Sequence, residues 1–387
     1  MPDCGNSEIL TTMKRCRPFL PAPSCAALLL SLATVPALQA ASVSAGNLVI
    51  YRVGTGAAAL STAATPVFLD EYTTGGALVQ SIPVASSGPA AMTAVGNATT
   101  EGIMTPSVDG SRLVFTGYRK DAGGANPSGD AALVTGRVVG MLSLDGTVDT
   151  SFAVTDVSGT IRSAVSYSAT GPAYLGASSA VRYISDLSSA AVSTAVDARN
   201  SRQVVLSGGI LFASNGSTAI TAKVQSYGPA PTALTVPTPV VTLNTGDAVN
   251  GIWFADLNPG IPGDDTLYSL STVANQLVKH SFDGATWTQS GSLSLAGTVG
   301  ISNLTGVVGP SGVDLYLTTG GTSTTSSTLY SLNDASGYGA APSGTLNVLA
   351  TAGANTAFRG IAIMPIPEPS AAVLGLLGLL AMGRRRR

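Results

Sequence analysis

Short apolar runs separated by turn residues set the rhythm of this chain between residues 41 and 364. The first is Gly46–Val53 (GNLVIYRV). Val67–Tyr72, Ala77–Val84, Ser107–Tyr118, Gly136–Leu144 and Ile161–Tyr167 follow, and the pattern continues to Phe358–Met364. These runs are rich in Val, Ile, Thr and Tyr and are bounded by Gly, Pro, Asn or Asp, the composition of strands and their turns. Asp109-Gly110, Asp145-Gly146, Gly208-Gly209 and Asp283-Gly284 predict tight turns, since glycine takes a positive φ without steric cost. A proline-rich connection, Pro229–Pro239, divides two such groups. No 12-residue window combines apolar residues at i, i+3, i+4 and i+7 with caps, so no helix is predicted.

The pattern amounts to roughly 20 to 25 short strands, which predicts an all-β domain. Glycine is frequent (45 residues), but a 45% hydrophobic content supplies apolar surface to bury and argues against disorder. Close, even spacing of short strands predicts a β-propeller. The 324 residues from Ala41 to Met364 divide into seven blades of about 46 residues, within the usual 40–50; six blades, at about 54 each, is the other possibility. The phrase x-L-Y-S-L, at Thr266–Leu270 and again at Thr328–Leu332, is a candidate internal repeat. A propeller must close its ring, and Gly46–Val53 is the expected partner of Phe358–Met364. The segments Ser107–Tyr118, Ile161–Ile184 and Asp256–Leu270 resemble a group of β-propeller-like proteins that carry a PEP-CTERM tail, a resemblance that implies a fold and no reaction.

The tail itself is the most specific stretch. Pro367, Glu368 and Pro369 are followed by an uncharged run, Ser370 to Gly383, and then Arg384, Arg385, Arg386 and Arg387. Two prolines keep the first part extended, an apolar run enters lipid, and an arginine cluster stays on the cytoplasmic side. Residues 365–387 resemble the PEP-CTERM sorting signal of Gram-negative bacteria. That resemblance implies export, processing by an exosortase, and a place at the cell surface or in an extracellular matrix with exopolysaccharide or biofilm. The uncharged run falls short of the roughly 20 residues that span a bilayer, so it suits a transient transmembrane segment better than a permanent anchor.

The other end agrees. Met13-Lys14-Arg15-Cys16-Arg17 is a basic n-region, Cys25 to Ala33 an apolar h-region, and small residues near Ala40 offer a cleavage site. Residues 1–40 are thus expected to be a signal peptide, with Met13 as an alternative start. Cleavage removes Cys4, Cys16 and Cys25, all the cysteines present, and excludes disulfides and thiolate metal sites from the mature domain. Processing at both ends removes seven of 19 basic residues and two of 21 acidic ones. The 12 and 19 that remain give a net charge of about −7, which excludes nucleic acid as a natural partner.

Candidate chemistry is sparse. His280, the only histidine, has no G-x-S-x-G serine to serve and no second histidine for a metal pair. No phosphate-binding G-x-x-x-x-G-K-[ST] occurs, and Gly54-Thr55-Gly56 lacks a third glycine and a following helix. Asp70-Glu71 and Asp264-Asp265 are sequence neighbours whose side chains point to opposite faces of a strand, unsuited to paired acid–base work. The densest oxygen-ligand stretch is Asp256 to Asp265, where Asp256, Asn258, Asp264 and Asp265 on a Gly/Pro-kinked loop are candidate Ca²⁺ ligands. No catalytic residue is assigned and no other cofactor is expected. The expectation is a secreted propeller with a non-catalytic binding or structural role, extracellular polysaccharide being the candidate partner; the alternative is a propeller polysaccharide lyase or hydrolase.

Overall fold

A computed structural model describes residues 41–366 except 190, 191, 299 and 322–325. Among the described residues there are 26 β-strands and a single 3₁₀ turn, Pro127–Gly129. The strands form a β-propeller of six antiparallel blades, four-stranded except for blade 2, with the short strand Thr93–Val95 joining blades 1 and 2. Blade 3 is Ile161–Ser166, Ala173–Ala177, Ala180–Ile184 and Thr194–Asp197. Blade 4 is Ser201–Ser207, Ile210–Asn215, Ala222–Pro229 and Thr238–Thr242. Blade 5 is Val249–Ala255, Thr266–Ser271, Gln276–Phe282 and Trp287–Ser294, and blade 6 is Ile301–Gly309, Gly312–Thr319, Thr328–Asp334 and Asn347–Thr351. Blade 2 starts from the short strand Thr105–Pro106, continues through Arg112–Tyr118 and Arg137–Ser143, and ends in Val148–Asp149 and Ala153–Val154.

Blade 1 draws on both ends of the domain. Its innermost strand is Ala357–Ile363, paired antiparallel to Leu48–Val53, which in turn pairs with Ala64–Tyr72 and that with Leu78–Pro83. Leu48 faces Ile363 and Val53 faces Ala357 in the register, so the ring closes where the sequence led one to expect.

Six apolar clusters fill the six interfaces between blades, which settles the blade number. Val49, Tyr51 and Val53 of blade 1 pack with Leu113, Phe115 and Val138 of blade 2. On the other face of the same strand, Leu48 and Ile50 pack with Tyr316 and Leu329 of blade 6. Both faces of a blade are therefore buried, so Leu48–Tyr51 reads as a continuous apolar run without polar alternation. The expectation of seven blades gives way to six because connections absorb length. Between blades 1 and 2 the chain from Val84 to Met104 contributes only the short Thr93–Val95 strand, and residues 119–136 form a long excursion inside blade 2. The x-L-Y-S-L repeat is no blade period either. Thr266–Ser271 is the second strand of blade 5, whereas Thr328–Asp334 is the third strand of blade 6. The same phrase sits in two environments, since Thr266–Ser271 is buried throughout whereas Thr328–Asp334 has three half-buried residues and an exposed Asn333.

Close approach at the axis demands small residues. A Cβ on Gly360 would collide with the Gly102 carbonyl oxygen and lie 2.7 Å from the Met104 nitrogen. Polar atoms stitch neighbouring blades together: Ile103 N donates to Arg162 O (3.0 Å), Ser163 Oγ to Arg202 O (2.8 Å), and Phe358 N to Ser327 Oγ (2.6 Å). Residues 1–40 and 367–387, which include the expected signal peptide and the Pro367-Glu368-Pro369 and arginine elements, lie outside the described residues. No helix among the described residues is long and apolar enough to cross a membrane.

Candidate functional site

The inner strands of all six blades begin at one end of the axis, here the entry end, and finish at the other, the exit end. Toward the exit end they enclose a cavity of about 170 Å³. Its walls are Met104 and Pro106 from blade 2, Val165 from blade 3, Val205 and Leu206 from blade 4, Ile252, Trp253 and Phe254 from blade 5, Leu304 from blade 6 and Ile361 from blade 1. Polar groups are few and fixed. Gln203 Oε1 accepts from Ile252 N (2.7 Å) and from Asn303 Nδ2 (3.3 Å), while Asn303 Oδ1 accepts from Ile361 N (3.0 Å). Two amides thus tie blades 4, 5, 6 and 1, and that of Gln203 lines the cavity. At the rim, Ser207 Oγ donates to Asp264 Oδ2 (2.5 Å). Trp253 lies 6.0 Å from the Tyr268 ring, and Phe254 lies 4.6 Å from Phe212. An apolar, aromatic wall with a few oriented polar groups is the usual build of a small-ligand site. At this volume it takes a single ring-sized group.

The entry end has the opposite character. Glu101, 3% exposed, accepts from Tyr118 OH (2.7 Å) at Oε1 and from Val95 N (3.0 Å) at Oε2. Burial pushes its carboxyl up to about 7, against the pull of those bonds and of the Arg359 and Arg162 charges. Arg359 is fully buried and donates to Gly96 O (2.9 Å) and Gly321 O (2.6 Å); burial draws it down to about 10 although Glu101 and Tyr51 oppose this. Arg162 donates to Ser201 O (2.8 Å) and to Asn200 Oδ1, and burial, then the Arg202 charge, pull it down to about 9. Sequence reasoning passed over these groups. The available signal was a charge inside an apolar strand, as in Ile161-Arg162 and Phe358-Arg359, where a buried cation must find partners.

The structure does not gather the candidate Ca²⁺ ligands. Asp265 is buried, and its carboxylate accepts from Leu257 N (3.0 Å), Asn258 N (2.6 Å) and the Thr266 hydroxyl (2.8 Å). It folds the loop. Asn258 Oδ1 accepts from Gly260 N (3.0 Å), Asp264 serves Ser207, and Asp256 is exposed. Among the described residues no group of three or more His, Cys, Asp or Glu side chains is placed to hold a metal. Asp70 and Glu71 point apart, Asp70 to Arg52 (2.5 Å) and Glu71 to Ser44 N (2.9 Å), Asn47 and Gln80. His280 is 3% exposed on the third strand of blade 5, and burial alone draws its imidazole down to about 4.

No family model matches the sequence, and no curated protein does. Several solved structures are similar to the chain. A protein from Lactobacillus plantarum is 12% identical with a TM-score of 0.48, covering 80% of this chain and 83% of its own. The periplasmic gluconolactonase of Pseudomonas aeruginosa is 12% identical with a TM-score of 0.41, covering 79% and 99%. An auxiliary nutrient binding protein from Bacteroides thetaiotaomicron is 13% identical with a TM-score of 0.43, covering 70% and 63%. At these values none lends its activity to this chain.

Proposed function

We propose that this propeller is an exported cell-surface or matrix protein that binds a saccharide at the exit end of its axis and does not convert it. The observation that supports the reading is the axial cavity, to which every blade contributes a wall and in which Trp253 and Phe254 stand near the oriented amide of Gln203. Aromatic and aliphatic walls suit the apolar face of a sugar ring, and the amide suits its hydroxyls. The extracellular setting and processing by an exosortase rest on the resemblance of the tail. A lyase or hydrolase needs a carboxyl open to its substrate. Asp264 at the cavity rim is engaged by the Ser207 hydroxyl (2.5 Å), and Glu101, whose carboxyl burial raises, is enclosed between blades, which favours binding over cleavage.

The test is titration of the full-length protein with polysaccharides and their oligomers, followed by tryptophan fluorescence. Of the two tryptophans, only Trp253 lines the cavity, so Trp253→Phe should abolish the ligand-dependent change. New chain ends in the incubated polysaccharide would replace the binding reading with an enzymatic one. No saturable response to any saccharide would leave a structural matrix role in its place.

A further inference from the structure

At the entry end, blades 3 and 4 leave a cluster of hydrogen-bond donors unused. Arg162 is 7% exposed and its Nε has no partner. Two residues of blade 4 add to it: Ser201 Oγ and Arg202 Nε are also buried without partners. Among the described residues neither Arg162 nor Arg202 has a carboxylate within ion-pair distance, although five of the chain's other cations do. The Arg202 guanidinium lies over Gly216, where any side chain would collide with it, and is half-buried, so it reaches solvent.

Beside this pair opens a cleft of about 550 Å³ lined by Arg199, Asn200, Asn215, Ser217, Thr221 and Gln225. Asn200 joins the two features, since it lines the cleft and its Oδ1 accepts from Arg162. Gln225 is 2% exposed. Its Oε1 lies 3.3 Å from Tyr227 OH, whose one proton goes to Asp197 Oδ2 (2.6 Å), and its Nε2 is buried without a partner. A site whose free groups are donors, two of them guanidinium, calls for an acceptor-rich anion. Its volume lies in the range that takes one or two sugar rings.

We propose that the entry-end cleft of blades 3 and 4 binds a hydroxyl-rich carboxylate, an acidic sugar, with the carboxylate on Arg162 and Arg202 and the hydroxyls on Gln225, Asn200 and Ser217. The sugar part rests on the saccharide reading above; the anion part stands on the arginines alone. It also explains why a chain of net charge about −7 in its mature form keeps two unpaired arginines side by side, where like charges repel.

The experiment is calorimetric titration of the full-length protein with glucuronate, glucose and inorganic phosphate, repeated for Arg202→Gln and Gln225→Leu. Arg202 donates no hydrogen bond to another described residue, so its variant should melt with the wild type and report on binding alone. Glucuronate should bind saturably and more tightly than glucose, and added chloride should weaken it. Arg202→Gln should weaken glucuronate at least about tenfold, as loss of a charge-assisted pair does, and Gln225→Leu a few-fold. Absence of saturable glucuronate binding, or binding indifferent to Arg202→Gln, overturns the proposal. Phosphate bound as tightly as glucuronate overturns the sugar assignment. A Trp253 response to neutral oligosaccharides without glucuronate binding sinks this site and keeps the axial one. The reverse pattern sinks the axial one and keeps this.

Discussion

Removing the Lys279 charge tests how blades 5 and 6 are held together. Lys279 Nζ and Asp334 Oδ2 lie 2.9 Å apart, and both side chains are fully buried. Asp334 also accepts from Tyr268 OH (2.7 Å), Ser343 N (3.0 Å) and Ser336 N (3.1 Å). Lys279→Met keeps the apolar stem and removes the ammonium, stranding a carboxylate between blades. Breaking one side of a buried pair costs about 3–5 kcal/mol, and the four remaining donors, these three and the Ser343 hydroxyl (3.3 Å), place this case at the lower end, about 3 kcal/mol. With an unfolding entropy of about 2.1 cal/mol/K per residue over some 320 residues, that lowers Tm by about 4 °C. Lys279→Met combined with Asp334→Asn removes both charges and should recover more than half of the loss. Thermal melts followed by circular dichroism measure all three proteins. A single variant within about 1 °C of wild type, or a double variant no better than the sum of its parts, would refute the reasoning. A pH series gives a second reading. Burial pushes the Asp334 carboxyl up, but bonds from Lys279, Ser336, Tyr268 and Ser343 overcome this and hold it at about 2, below its ordinary 3.8. The folded state then binds fewer protons than the unfolded one, so this stability is whole above about pH 4 and is lost as pH falls toward 2. Lys279→Met should flatten that part of the curve.

Further outcomes follow from the same geometry. Gly360→Ala forces a methyl into the Gly102 carbonyl at the axis and should cost more than about 3 kcal/mol or prevent soluble expression; a variant melting with wild type would contradict the close approach. His280, drawn down to about 4 from 6.5, should show an unchanged imidazole NMR shift from pH 8 to 5, and stability should fall as pH drops from 6.5 toward 4 because only the unfolded chain takes up the proton there. Millimolar Ca²⁺ should leave Tm unchanged, since Asp265, Asn258 and Asp264 already serve the loop; a rise of several degrees would restore a cation site at Asp256–Asp265. Intact mass of protein recovered from its native envelope should show loss of residues up to about Ala40 and a new C-terminus near Pro367–Pro369, and a species still ending at Arg387 would count against the sorting reading.

Local chemistry made much of the fold legible. Val and Ile runs between Asp-Gly and Gly-Gly turns mark strands because pleat and turn are fixed within a few residues, and Asp109, Asp145 and Asp283 each cap their turn with a backbone bond from two residues on. The pairing of Gly46–Val53 with Phe358–Met364 followed from the need of a propeller to leave no open edge. The expectation of a sorting tail and a leader comes from residue order alone and concerns residues outside those described. Tertiary structure decided the rest. Blade number depended on where long connections such as 119–136 fall, and one local phrase can occupy different positions of a blade, so Thr266–Ser271 and Thr328–Asp334 looked equivalent although one is fully buried and the other is not. Asp256–Asp265 looked like a ligand set, but an aspartate can spend its oxygens on backbone N–H groups that only the folded loop presents. Gln203 and Asn303, or Arg162 and Arg202, carry no local sign of meeting. They lie about 40 to 100 residues apart, and closing the ring is what brings such residues to one axis.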